Sequence, residues 1–274
     1  MIPAGYEPLD RVVYADDFDR GAQGWTLLTG NYERSLDSLI AEQRDFRPPM
    51  LSSLTMWDTG TAGSLHGTYA LKLATRPHPG SISVALKRTT FRRPCPIQVE
   101  AYFAVKPEAT DLVLGDRDVR AFGIFLDLQD GRERVMPHLR YHNAEAGERR
   151  HRWLFKKDRP PVKTISGETR SHFHLGPDGW LDVPGGEQDL CYNELPTKQN
   201  WHYLNVGFDL RSMTYTHLHC NNRTFEVTDV SPMRMPAWPN LDQMLNVGFW
   251  VETDTAVRAF LYLDSVVVSA GTPS

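Results

Sequence analysis

In the stretch WHYLNVGFDL (201–210) side chains alternate strictly. His202, Leu204, Val206, Phe208 and Leu210 share one face, and Tyr203, Asn205, Gly207 and Asp209 share the other. A period of two belongs to an extended chain, because successive side chains of a strand point to opposite sides. MLNVGFWVE (244–252) repeats the design, with Leu245, Val247, Phe249 and Val251 opposite Asn246, Gly248, Trp250 and Glu252. RAFLYLDSVVVS (258–269) follows as a long run of β-branched and aromatic residues. Earlier runs of the same kind are 11–18, 68–75, 81–91, 97–105, 121–129, 136–144 and 151–157. Extended runs separated by Gly, Pro, Asn and Asp turns predict an all-β sandwich or barrel.

Turn chemistry agrees. Asp130-Gly131 and Asn221-Asn222 each lie between two extended runs, and Asp, Gly and Asn all tolerate a positive φ. Helical spacing occurs once, in NYERSLDSLIAEQRDF (31–46), where Leu36, Leu39 and Ile40 fall at i, i+3 and i+4. RPPM (47–50) would end that short helix, since the residue before a proline avoids the helical region. The Pro- and Gly-rich segment 158–200 reads as a long loop insertion, of the sort that is often functional. The expectation is one domain over 1–274.

The 274 residues are 41% hydrophobic and 23% charged, enough to build a large core. A net charge of −4 gives no basic excess for nucleic acid. The one basic run, GERRHRWLFKKDR (147–159), suits either an anion site or a solvated loop. Three cysteines without CxxC spacing exclude a full disulfide framework. No apolar run reaches membrane-spanning length, and the start shows no basic-then-apolar leader, so a cytoplasmic protein is expected.

VVYADDFDRGAQGW (12–25) together with VGFWVETDTAVRAFLYLDSVVVS (247–269) resembles the concanavalin A-like, laminin-G-like superfamily, and within it a bacterial branch. The resemblance implies a two-sheet antiparallel jelly-roll sandwich with adjacent terminal strands. It also implies a concave face that meets saccharides, in lectins, glycoside hydrolases or lyases, and in many members a structural calcium. By position Asp17, Asp19 and Asp264 match the calcium carboxylates; the alternative is that they cap strand ends. Calcium takes six to eight oxygens, which suits carboxylates with backbone carbonyls. The missing leader departs from the secreted pattern and favours a small imported glycoside, a sugar acid or a non-sugar ligand.

The residues themselves point to one polar-aromatic face formed by the late strands. TYTHLHCNN (214–222), read as a regular strand, sets Tyr215, His217 and His219 on one side. With Tyr203, Asn205, Asp209, Asn246, Trp250 and Glu252 they are expected to form a ligand face, Gly207 and Gly248 leaving room above the sheet. His217, His219 and Tyr215 are the catalytic candidates, and Trp250 the stacking platform. The His-x-His pairs His217/His219 and His172/His174, with Glu252 or Asp209, would suit a transition metal, or be ordinary histidines. VETD (251–254) cannot supply the two opposed carboxylates of glycoside hydrolysis. A lyase would instead use Tyr or His as base, with Asn or Arg neutralising a uronate. Three classes stay open: a carbohydrate-active enzyme, a non-catalytic saccharide-binding module on the same face, and an interaction protein, a homo-oligomer for instance, with no small ligand.

Overall fold

The computed structural model describes residues 2–27, 48–53, 63–108, 115–157, 163–165, 168–170, 179–191, 193, 199–237 and 239–272. It is a two-sheet antiparallel sandwich, the jelly-roll arrangement the two chain ends resemble. The first sheet runs β16 (Arg223–Phe225), β15 (Thr214–Cys220), β14 (His202–Asp209), β6 (Pro96–Pro107), β19 (Ala259–Ala270), β4 (Ala70–Ala74), β3 (Met50–Ser52). β1 (Arg11–Asp16) pairs with the far end of β19, so the two terminal strands are adjacent as expected. The second sheet runs β13 (Trp180–Glu187), β10 (Glu148–Lys156), β9 (His138–Glu145), β7 (Val119–Gln129), β18 (Met244–Thr253), β5 (Ile82–Thr90), β2 (Thr26–Leu27). β8 (Glu133–Met136) pairs with β7 and with β17 (Met233–Pro236). A separate hairpin joins β11 (Lys163–Ile165) to β12 (Glu168–Arg170).

The alternation read from the sequence is what fills the core. Leu204, Val206 and Phe208 of β14 meet Leu245, Val247, Phe249 and Val251 of β18 in one buried cluster between the sheets. At about 25 cal/mol per Å² of buried apolar surface, this interlayer is the main favourable term in folding. The predicted turns hold too: Gly131 and Asn221 sit at positive φ in the β7–β8 and β15–β16 hairpins. The short helix expected at 31–46 lies outside the described residues, as do His172 and His174.

Three expectations are corrected. First, β15 is not regular. Its register against β14 shifts between Gly207 and Phe208, so that Tyr215 opposes Phe208 and His217 opposes Gly207. Thr216 is the extra residue of a β-bulge, and a bulge reverses the face of what precedes it. Tyr215 therefore points into the core, away from His217 and His219. Its hydroxyl crosses the sandwich and accepts a 2.7 Å hydrogen bond from the His138 backbone N–H. Second, the 158–200 segment is more than a loop, since it contributes edge strand β13 and the β11–β12 hairpin. Third, the glycines leave no room for a ligand. The Phe125 ring fills the space over Gly248, and the Thr216 and His217 side chains fill that over Gly207.

Two stability measurements check these corrections. Tyr215→Phe leaves a buried N–H without its acceptor and is expected to cost about 1–3 kcal/mol in urea unfolding, against about 0.5 kcal/mol or less for His219→Ala. Equal effects would contradict the bulge. Gly248→Ala drives a methyl into the Phe125 ring and is expected to cost about 1–3 kcal/mol.

Candidate functional site

The expected single face is split in two. β14 and β15 belong to the first sheet and β18 to the second, and in each the alternate apolar residues turn inward. The polar residues of the two sheets consequently face opposite ways. Tyr203, Asn205, Asp209, His217 and His219 lie on one outer surface of the sandwich; Asn246, Trp250 and Glu252 lie on the other.

Most polar groups of the first-sheet half are tied to one another, Glu100 Oε2 being a buried exception. His217 Nε2 donates to Asn205 Oδ1 at 2.8 Å, and Nδ1 lies 3.2 Å from the Thr216 hydroxyl. With both ring nitrogens engaged, His217 offers no lone pair to a metal, and burial together with His219 lowers its pKa. His219 packs edge-on to Tyr203. The Tyr203 hydroxyl donates to Glu100 Oε1 at 2.6 Å, which also accepts the Glu7 N–H at 2.9 Å. Tyr6 packs against Tyr102 and Tyr203 with ring centroids 5.4 Å apart, so the segment before β1 covers part of this surface. Asp209 is held by the Arg211 guanidinium, which lowers its pKa. Tyr215, the third catalytic candidate, is absent from the surface altogether. Among the described residues no three His, Cys, Asp or Glu side chains form a metal-holding group.

The carboxylates matched to calcium are committed to N–H donors. Asp19 Oδ1 accepts from Thr68 N and Tyr69 N at 2.6 and 3.1 Å, and Asp17 Oδ1 accepts from Asp19 N at 3.3 Å. Asp264 Oδ2 accepts from Leu65 N and His66 N at 2.7 and 2.9 Å. Burial raises the Asp264 pKa, opposed by these amides. Gly67, at φ +77°, stands where any side chain would collide with the Asp19 carboxylate. Carboxylates closing a turn through its amides do not fit the convergent oxygen shell that calcium requires. Asp19 and Asp264 thus each fasten the segment just before β4 through its amides.

The second-sheet face is different. β9 places His138, Arg140 and His142 there, opposite Phe125, Gly123 and Ala121 of β7, which in turn oppose Gly248, Trp250 and Glu252 of β18. Gly123 is required: a Cβ at this position would meet the Trp250 indole and the Leu139 carbonyl. The indole thus lies across the sheet and donates from Nε1 to His138 Nε2 at 2.8 Å. Trp180, from β13, closes the group with its ring centroid 4.7 Å from His138 and 6.2 Å from Trp250. Both the Arg140 guanidinium and the Lys156 ammonium sit over Trp180, at 5.0 and 4.8 Å. Arg120 bridges Glu252 at 2.9 Å and Glu145 at 2.8 Å. Asn246 lies further along, 3.4 Å from Asp127, which is paired with Arg134.

These groups face away from the interlayer core and are withdrawn from water, Trp250 packing with Phe125, Met136, Met233 and Met235 in a second buried cluster: Trp250 is 2% exposed, Arg140 5%, His142 and Glu252 7%. Their protonation equilibria record it. Burial brings the Arg140 pKa down to about 10 and that of His142 down to about 4, so His142 is a neutral imidazole near pH 7. Burial raises the Glu252 pKa against the pull of Arg120 and Arg140. Neither His142 Nε2 nor Arg140 Nε has a hydrogen-bond partner. Trp250 is therefore less an open platform than a wall, and Trp180 is the more accessible ring. Arg140, His142 and Trp180 are the residues that the sequence reading passed over. The alternation of His138, Arg140 and His142 was the available signal.

Within the basic run, Glu148–Lys156 form β10. Arg149 pairs with Asp116 and Arg152 with Asp182 at its surface, while Trp153 and Phe155 enter the core.

Several solved structures are similar over most of the chain. Cellulose induced protein, Cip1, shares 14% identity at a TM-score of 0.43, covering 95% of this chain and 99% of its own. The lectin UEA-II complexed with galactose shares 11% at 0.41, covering 86% and 97%. The carbohydrate recognition domain of Emp46p in its potassium-bound form shares 9% at 0.36, covering 82% and 89%. No functional residue is carried over from any of them. No curated protein matches the sequence. A family model does, over residues 4–272, and the chain belongs to that family, the domain of unknown function DUF6772.

Proposed function

We propose that this protein binds a saccharide on the outer face of the second sheet, at Trp180, Trp250, Arg140, His142 and Glu252. The observation that carries the reading is the withdrawal of that face from water. An aromatic wall with a few buried, fixed polar groups is the composition of small-ligand sites, where apolar surface supplies affinity and the polar groups set orientation. Sugars present both halves, apolar C–H faces to indole rings and hydroxyls to amides, imidazoles and carboxylates. The first-sheet histidines take no part in this proposal, His217 having both ring nitrogens engaged and His219 packing on Tyr203.

Within this reading elimination fits better than hydrolysis. Both carboxylates near the aromatic wall, Glu252 and Glu145, are held by the same Arg120, so neither is free as an opposed acid or base. His142 is neutral, with Nε2 open to accept a proton. A lyase would draw its base from His142, a binding module would use the same nitrogen only as a hydrogen-bond partner, and product absorbance near 230–240 nm would separate the two. The calcium implied by the resemblance is not part of this proposal.

The first test is a screen of immobilised plant, algal and microbial glycans followed by titration calorimetry. Trp180→Ala is expected to weaken a bound glycan by about tenfold to a hundredfold, the worth of a stacking ring in a site. The His217→Ala/His219→Ala double variant, on the opposite surface, is expected to bind as the native protein does. A folded protein that binds no glycan, or loses binding through the histidine pair, contradicts the proposal. A second measurement follows stability with pH. An imidazole that protonates near pH 4 when folded and near 6.5 when unfolded contributes stability that is full above pH 6.5 and lost as pH falls toward 4. His142→Gln is therefore expected to flatten part of the fall in melting temperature between those values, leaving the profile above pH 7 unchanged.

A further inference from the structure

Arg140 has the least satisfied charge on the second-sheet face. The residue is 5% exposed, its Nε is buried without a hydrogen-bond partner, and among the described residues it forms no ion pair. Its cross-strand neighbours, Gly123 on β7 and Leu154 on β10, offer no side-chain acceptor. The nearest carboxylates, Glu252 and Glu145, are both taken by Arg120. What Arg140 does touch is the Trp180 ring, which covers the guanidinium without satisfying any N–H. A buried guanidinium nitrogen with no acceptor is costly and rare. Nearby arginines show the usual alternative: Arg134 is bidentate to Asp127 at 2.7 and 2.8 Å, and Arg120 holds two carboxylates.

We infer that Arg140 receives the anionic group of the ligand, a carboxylate borne by the sugar, so that the ligand class is a uronic acid or an oligosaccharide containing one. This rests on the saccharide reading above and adds the charge. The guanidinium fork matches the two oxygens of a carboxylate, and a pair formed in a site poor in water is stronger than one at the surface. Trp180 would then lie beside the ring that carries the carboxylate, and His142, two residues along the same face of β9, would reach the adjacent part of the sugar.

The experiment is calorimetric titration of the whole chain with a glucuronate trisaccharide, its methyl ester, a glucose trisaccharide and a sulfated glucose trisaccharide. Native protein is expected to bind the uronate at least about tenfold more tightly than the ester or the glucose trisaccharide. Arg140→Met should level uronate and ester, and Arg140→Lys, which keeps the charge but not the fork, should fall between. Equal binding of uronate and ester would overturn the carboxylate inference while leaving the saccharide reading in place. Preference for the sulfated sugar over the uronate would likewise overturn the carboxylate. Binding of none of them by this protein, when other glycans in the screen are also unbound, would overturn both. A readout independent of the ligand is the melting temperature of Arg140→Met. Removing a buried cation that makes no ion pair among the described residues and no hydrogen bond through Nε, while keeping its apolar stem, should leave it equal or higher, and a fall of several degrees would make Arg140 a structural residue and overturn the inference.

Discussion

The central pairing of β18 against β19 sets the rest of this sandwich. The two strands are consecutive, yet each is an inner strand of a different sheet, joined by a turn at 254–258. Their facing sides, Val247, Phe249 and Val251 against Leu261, Leu263 and Val268, are buried in one cluster. Buried backbone on such strands must be paired on both edges, which β5 and β7 do for β18, and β6 with β4 and β1 do for β19. Once that interlayer forms, every outward residue of β18 must point away from every outward residue of β19 and of its sheet partners. The separation of Trp250 from His217 follows from that alone.

Much of the fold was legible because alternation is a local signal. Leu204, Val206 and Phe208 announce their common face without reference to any other strand, and the Asp130-Gly131 turn announces its hairpin. Which strands share a sheet is a non-local fact, and nothing in 201–210 or 244–252 records that they belong to different ones. The same limit explains Tyr215. A bulge adds one residue opposite its partner strand, and the letters of TYTHLHC read equally well with or without it. The site was legible only in part for a related reason. Trp250 and Glu252 sit on the candidate face, but Trp180 comes from a segment whose Pro and Gly content hides a strand. Arg140 and His142 lie in a run whose value depends on lacking partners, which no sequence displays.

The two outer surfaces show how similar residue types come to different uses. On the first sheet, Tyr203 is hydrogen-bonded to Glu100 and His217 to Asn205, and Tyr6 packs on Tyr203. On the second, Arg120 gathers both nearby carboxylates and so leaves Arg140 beside them without one. An arginine that satisfies two acids is a device for keeping a second arginine available, and it does so by geometry, with no change in the local count of charges.

The position of β19 has a consequence for biosynthesis. It is the last strand in chain order and also an inner strand of its sheet, with β6 along one edge and β4 and β1 along the other. During translation those three strands would emerge long before the partner they share. Until residues 259–270 leave the ribosome, their inward edges have open hydrogen-bonding groups and the Leu71, Leu73, Val99 and Phe103 side chains have no complete layer to enter. The nascent chain would therefore pass through a prolonged stage with exposed strand edges, a state prone to pairing with other chains. Commitment of the first sheet waits on residues 259–270, and chaperone protection matters most before they emerge.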